Sequence, residues 1–315
     1  MAWICRNCST NNEDSADKCI VCDYKKPSAE LSFDLSSQLK SAKKQLSGIT
    51  KSSEKIDWQK RYEEAKALLD TQPHRAIEII TECAEHGNVP AQYKLGYFYY
   101  FGENVRQDYE KAISWLTPIA REGITDAQYL LGLCYQSLEG DKRNYNSAFL
   151  WLSKAAESGH KGAENAIGNC YYYGNGVALD KKTALVWYEK AASHGSAWGM
   201  YNAGLCYFNG VGTVKNIPKS VHYFVSSANA GNIKAEAALG YCYMMGYGVQ
   251  KNYTEAIKHL LVAANGGVVS AQYNLGICYE KLGGASNKQQ AIKWYSKAAE
   301  NGHEHALTAL AKLKR

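Results

Sequence analysis

A 36-residue period constrains this 315-residue chain more than any other feature. Glycines stand at Gly96, Gly132, Gly168, Gly204, Gly240 and Gly276, and a tyrosine follows each by three residues, from Tyr99 to Tyr279. A second glycine series runs Gly87, Gly123, Gly159, Gly195, Gly231 and Gly267, then Gly302 after a one-residue deletion. Self-similarity at such a period means stacked supersecondary units, each too small to bury its own apolar face.

Each period reads as two helices. The first starts near Ala91, Ala127, Ala163, Gly199, Ala235 and Ala271, and places Leu95, Gly96 and Tyr99 on one face. A mid-helix glycine costs about 1 kcal/mol against alanine, so its recurrence predicts a neighbouring helix packed on the backbone there. The second helix starts after Asp108, Asn144, Asp180, Asn216, Asn252 and Asn287, residues whose side-chain oxygen can accept from an orphan N–H. Asn252 with Glu255 also fits a capping box. The second glycine series ends this helix at the left-handed position. Between the helices lie turns such as Gly174-Asn175-Gly176-Val177, with Asn104 replacing the second glycine in one repeat. These turns follow no strand, so they are not nucleotide loops.

The pattern resembles the Sel1-like repeat family, relatives of the tetratricopeptide repeats. It is carried best by Ala163, Gly168, Tyr171, Gly174-Asn175-Gly176-Val177, Asp180, Ala184, Trp187-Tyr188, Lys190-Ala191-Ala192 and Gly195. The resemblance covers about 57–315 and implies an all-α chain, an α-solenoid of helix pairs. We expect an opening hairpin at 57–87, six repeats over about 90–302 and a polar capping helix at 305–314. The repeats beginning at Ala127 and Ala271 depart from the pattern in their turns, Ser137-Leu138-Glu139-Gly140 and Leu282-Gly283-Gly284-Ala285.

In tetratricopeptide-like solenoids the first helix of each pair lines the concave face. By register the resemblance puts Tyr97, Tyr100 and Phe101, then Asn169, Tyr172 and Tyr173, then Leu205 and Phe208, then Tyr241, Met244 and Met245 on that face. The candidate partner-binding residues are Tyr97, Tyr100, Tyr172, Tyr173, Phe208 and Tyr241, a lining suited to a protein or peptide ligand. Packing between repeats is the competing role for these rings. Removing Tyr97, Tyr100 and Tyr172 is expected to weaken binding without unfolding the chain.

Ten cysteines sort by position. Cys134, Cys170, Cys206, Cys242 and Cys278 share one repeat position, and Cys83 stands alone. Equivalent positions on stacked helices lie about 10 Å apart, beyond the ~7 Å reach of a disulfide. These read as reduced, buried small residues in a reducing compartment.

The other four form Trp3-x-Cys5-x2-Cys8-x3-Asn12-x6-Cys19-x2-Cys22. Two CxxC knuckles suit one tetrahedral Zn2+ held by Cys5, Cys8, Cys19 and Cys22, whose binding would supply the folding energy of so small a segment. With Trp3 and Asn12 this segment, residues 1–26, resembles the RanBP2-type zinc finger, whose members bind single-stranded RNA, ubiquitin or other proteins. Glu13, Asp14, Ser15 and Ala16 replace the aromatic and arginines of the RNA-binding members, which argues against RNA. Ser9-Thr10 lacks the aromatic anchor of the ubiquitin-binding members, although Val21 fits. A different protein partner or a purely structural cap remains.

Residues 27–56 are rich in Ser and Lys and read as a linker. Leu31, Leu35, Leu39, Ala42 and Leu46 fall at helical spacing within it, and the sequence leaves open what that stripe packs on. A net charge of +6 calls for no nucleic acid. No apolar run spans a bilayer, and the start lacks a secretory pattern. The expectation is a cytoplasmic or nuclear chain, neither secreted nor membrane-bound. No nucleophile–base or carboxylate pair stands out, and no small-molecule substrate or enzyme activity is expected. The leading reading is an adaptor, the solenoid holding one protein and the finger docking a second macromolecule. An RNA- or ubiquitin-associated factor and a solenoid inhibitor of an enzyme or toxin are the alternatives.

Overall fold

The computed structural model describes residues 56–313 and two short strands, Trp3–Ile4 (β1) and Asn11–Asn12 (β2). The strands pair antiparallel, Trp3 opposite Asn12 and Ile4 opposite Asn11. Cys5, Cys8, Cys19, Cys22 and the leucine stripe from Leu31 to Leu46 lie outside the described residues. Among the described residues every other regular element is helical, and the helices fall into two compact units, divided between Ser158 and Gly159.

The first unit holds α1 (Trp58–Ala67), α2 (Pro73–Glu85), α3 (Val89–Phe101), α4 (Tyr109–Arg121), α5 (Thr125–Ser137) and α6 (Tyr145–Glu157). A 3-10 turn, Gly140–Lys142, sits between the last two. The second holds α7 (Lys161–Tyr173), α8 (Lys181–Ser193), α9 (Ala197–Asn209), α10 (Ile217–Asn229), α11 (Ile233–Met245), α12 (Tyr253–Asn265), α13 (Val269–Leu282), α14 (Ala285–Glu300) and α15 (Glu304–Leu313). Within each unit every helix packs on the next, and first helices of successive repeats touch, as α7 and α9 do. This is the α-solenoid class.

The central glycines are where each pair closes. A Cβ on Gly132 would lie 2.6 Å from Leu152, one on Gly168 2.5 Å from the Tyr188 ring, and one on Gly204 2.7 Å from Phe224. The large side chain twenty residues on takes the space a Cβ would need, and Leu152 and Phe224 are almost wholly buried as a result. The helix-propensity cost of glycine is offset by this close approach.

The tyrosine three residues after the central glycine supplies a backbone contact in five of the six repeats. Its carbonyl accepts from the N–H of the following helix's cap, Tyr99 from Asp108, Tyr135 from Asn144, Tyr171 from Asp180, Tyr207 from Asn216 and Tyr243 from Asn252, at 2.8–3.2 Å. The same cap residues accept from the first-turn N–H groups with their side chains. Each loop is thus tied at both ends. The capping box expected at Asn252 and Glu255 does not close, because the Asn252 N–H is spent on Tyr243 and the Glu255 carboxylate on Lys258.

Two further expectations are corrected. Asn287 is no cap: α14 begins at Ala285, and the Asn287 amide donates to the Gly283 carbonyl from inside the first turn. The first helices begin about two residues earlier than the alanine series suggested. Gly87, Gly123, Gly159, Gly195, Gly231 and Gly267 adopt positive φ, and a single residue separates each from the next helix. That residue is the cap in four repeats: Asn88, His160, Ser196 and Asn232 accept from backbone N–H groups. Asn104 holds φ 61°, the positive value anticipated for it.

Cys83, Cys134, Cys170, Cys206, Cys242 and Cys278 are buried thiols outside any disulfide. Burial pushes the Cys206 and Cys242 thiols up to about 11 and Cys278 to about 12.

Candidate functional site

In the second unit, the turn between the two helices of a repeat carries unusual side chains. Tyr173 is 66% exposed, Leu179 59%, Val214 82%, Met245 44% and Tyr247 39%. All five lie at the end of a first helix or in the turn that follows, in three consecutive repeats. Scattered apolar exposure is ordinary, and Val186, Val225 and Val262 on the second helices show it too, but the turn region gathers five such side chains in three successive repeats.

The glycines make these turns one continuous edge. Gly212, at φ +71°, is pressed against the Lys181 carbonyl at the start of α8, and a Cβ there would collide with backbone. Gly248 sits the same way on Ile217 and Val221 of α10, where a Cβ would come within 3.0 Å of both side chains. Each turn therefore rests on the second helix of the preceding repeat. One ring contact crosses between repeats, Tyr247 meeting Phe208 at 5.8 Å, and Tyr247 also meets Tyr241 of its own repeat at 5.8 Å, both edge-on. Tyr172 and Tyr173 pack together at 4.9 Å.

The sequence-derived residues thus divide. Tyr172, Phe208 and Tyr241 are half-buried members of this edge and Tyr173 is an exposed one. In the first unit, Tyr97 is half-buried and lies 4.5 Å from Phe101, with Lys94 Nζ 5.0 Å from its ring. Tyr100 is 2% exposed, packed on Phe101 and Tyr109 and hydrogen-bonded with Ser137, and burial holds its hydroxyl well above the usual phenol range. It is a core residue, which corrects the expectation that it could be removed without cost to folding. Tyr247 was missed as a site residue because in sequence it is the variable letter of a Gly-x-Gly turn. Val214 was missed for the same reason, since its exposure follows from turn geometry rather than periodicity.

The equivalent turns elsewhere are different. In the first unit, Val105 and Leu138 fold inward at 8% and 9% exposure, and the outward residues include Asn104, Arg106, Glu139 and Asp141. The apolar edge is therefore fullest in 161–268, and Leu282 at the end of α13, 43% exposed, extends it by a single residue.

Other polar clusters in this unit are structural. Glu189 Oε1 accepts from Tyr207 (2.8 Å), Tyr223 (3.1 Å) and Lys219 (3.0 Å), and Lys219 also donates to the Tyr207 hydroxyl. Burial alone would raise the Glu189 carboxyl, but these three donors outweigh it and hold it below the usual range. The cluster ties α8 to α9 and α10 across the repeat boundary. Glu164 is wholly buried, with Lys190 at 3.2 Å and His194 at 2.9 Å. Glu236 pairs with His259 at 2.7 Å, and that ring stacks on Tyr243. In other repeats a glutamine holds this position, and Gln92, Gln128 and Gln272 donate to a carbonyl eight residues back. The acids lack that donor and take a lysine or histidine partner from the next helix instead. Among the described residues no three His, Cys, Asp or Glu side chains converge as a metal ligand set.

The Sel1 repeat family model matches six successive segments, 89–124, 125–160, 162–196, 199–232, 233–268 and 269–303. No curated protein matches the chain. Among solved structures, a protective antigen present in uropathogenic Escherichia coli strains is 31% identical, with a TM-score of 0.70, over 88% of this chain. The chain spans 58% of that antigen's length. A Sel1 repeat protein from Oxalobacter formigenes is 31% identical, with a TM-score of 0.69, over 76% of this chain and 99% of that one.

Proposed function

The chain belongs to the Sel1 repeat family, and from that premise we propose that it is a non-enzymatic protein-binding scaffold whose docking surface is the turn edge of 161–268. Sel1 repeat proteins act generally as protein-interaction scaffolds. The observation that carries the reading is the run of Tyr173, Leu179, Val214, Met245 and Tyr247, exposed at the first-helix ends and turns of three successive repeats, with Tyr247 packed on Phe208 and Tyr241. Apolar surface left in water forgoes about 25 cal/mol per Å² relative to burial, part of which a partner recovers. The cytoplasmic or nuclear location expected from the sequence belongs to the same reading, supported by six buried cysteines that form no disulfide.

Affinity capture from native lysate tests it, with the whole chain, a Tyr173→Ser/Val214→Ser/Tyr247→Ser variant and a Val186→Ser/Val262→Ser control. The control residues are also exposed, at 63% and 51%, but lie on the second helices of their repeats. Partners lost by the edge variant and kept by the control support the surface. Partners lost by the control alone would move the site.

The finger is read as a second arm. Cys5, Cys8, Cys19 and Cys22 would hold one structural zinc ion, whose role is to fold a segment too short to form a core. Two things support it: a donor set of four thiols, and the pairing of Trp3 with Asn12 and Ile4 with Asn11, which brackets Cys5-x2-Cys8. Elemental analysis of the purified full chain should find one zinc per chain, lost in Cys19→Ser/Cys22→Ser. A chain free of zinc after isolation without chelator would remove this arm.

A further inference from the structure

The edge carries a charge pattern as well as an apolar one. Lys181 Nζ stands 5.5 Å from the Tyr172 ring centroid, Lys215 Nζ 5.7 Å from Phe208 and Lys251 Nζ 5.0 Å from Tyr253. All three lysines are exposed, and none has an ion pair among the described residues. Lys190, Lys219 and Lys258, on the second helices of the same repeats, are held by Glu164, Glu189 and Glu255. The carboxylate nearest in sequence to the edge lysines is Asp180, and its oxygens are taken by the Lys182 and Thr183 N–H groups and the Thr183 hydroxyl.

A lysine resting on a ring is held by the ring's negative face on one side only. Its ammonium keeps three donors, and those directed away from the ring face solvent. An arriving carboxylate completes the set with charge-assisted hydrogen bonds at no loss of the ring contact. The three lysines follow the stacked turns: Lys181 lies beneath the 210–215 turn that contains Lys215, through Gly212, and the 246–251 turn containing Lys251 rests on α10 through Gly248. Neighbouring helices stack about 10 Å apart, which an extended chain covers in about three residues.

We propose that the partner presents an extended acidic segment to this edge, with a carboxylate about every third residue received by Lys181, Lys215 and Lys251, and apolar side chains between them set on Tyr173, Val214 and Tyr247. This rests on the docking surface proposed above and adds the chemical class of its ligand.

The test is fluorescence anisotropy with the full chain and three labelled fifteen-residue peptides that share Leu and Phe anchors and differ only in their spacer residues, Glu, Gln or Lys. The Glu peptide should bind at least tenfold tighter than the Gln peptide at 50 mM salt, and that ratio should shrink at 300 mM. The Lys peptide should bind weakest. In Lys181→Gln/Lys215→Gln/Lys251→Gln the ratio of Glu to Gln affinity should fall to about one, with an unchanged circular-dichroism melt. A ratio near one in the wild type, or a ratio retained in the lysine variant, overturns the acidic ligand. The apolar surface is judged separately: Tyr173→Ser/Val214→Ser/Tyr247→Ser should weaken all three peptides. If it weakens none while the lysine variant abolishes binding, the docking surface falls and a purely ionic contact replaces it. Failure of every peptide to bind at millimolar concentration overturns the inference.

Discussion

At the scale of single residues, the glycine and cysteine series were legible in sequence because each repeats a steric fact. Gly168 faces the Tyr188 ring at a distance that admits no Cβ. Alanine there would gain about 1 kcal/mol of helix propensity but would force the ring aside at a cost of about 1–3 kcal/mol. The clash should win, so Gly168→Ala should lower stability in urea titration by about 1 kcal/mol; a stabilised variant would mean that the ring yields freely. The cysteines make a second prediction. With burial raising Cys206, Cys242 and Cys278 far above neutral pH, these thiols should resist iodoacetamide at pH 8 in the native chain and react once it is unfolded. Rapid native alkylation at any of the three would contradict their burial. Tyr247 and Val214 were not legible, because their role comes from which turn stacks on which helix.

At the scale of the element, the caps show what sequence can and cannot specify. Five of the six residues read as caps occupy that position; Asn287 does not, because the Gly283-Gly284 turn lets α14 start early. The earlier starts of the first helices were missed although Asn88, Ser196 and Asn232 are ordinary capping residues; the alanine series was the louder signal. Asn216→Ala should cost about 1 kcal/mol, whereas Asn287→Ala should change stability by only a few tenths. Equal losses in the two would contradict the placement of α14. Asp180 adds a pH dependence. Hydrogen bonds from Thr183 lower its carboxyl, outweighing a small opposing desolvation. A depressed acid stabilises the fold above its unfolded value, near pH 4, and loses that contribution as pH falls through its folded value. Asp180→Asn, which cannot ionise, should therefore be less stable than the wild type at pH 7, and the gap should close as the pH drops toward 3. A constant difference across that range would show that the cap is not ionised.

At the scale of the whole molecule, the repeats share a scaffold and differ in their turns. The solenoid class was readable from periodicity alone, since every helix pair obeys the same packing rule. What distinguishes this chain from its scaffold is the apolar, lysine-bearing edge of 161–268, set beside the polar turns of 89–160. Periodicity averages such differences away, which is why the sequence pointed to the first-helix aromatics rather than to the turns. The most direct test is to place a photo-crosslinking amino acid at Val214, 82% exposed in the edge, and at Val186, 63% exposed on a second helix. Both substitutions should leave the fold intact. The account expects discrete crosslinked protein adducts from position 214 and none from position 186 on irradiation in lysate. Adducts from 186 and none from 214 would contradict it and move the docking surface to the second helices.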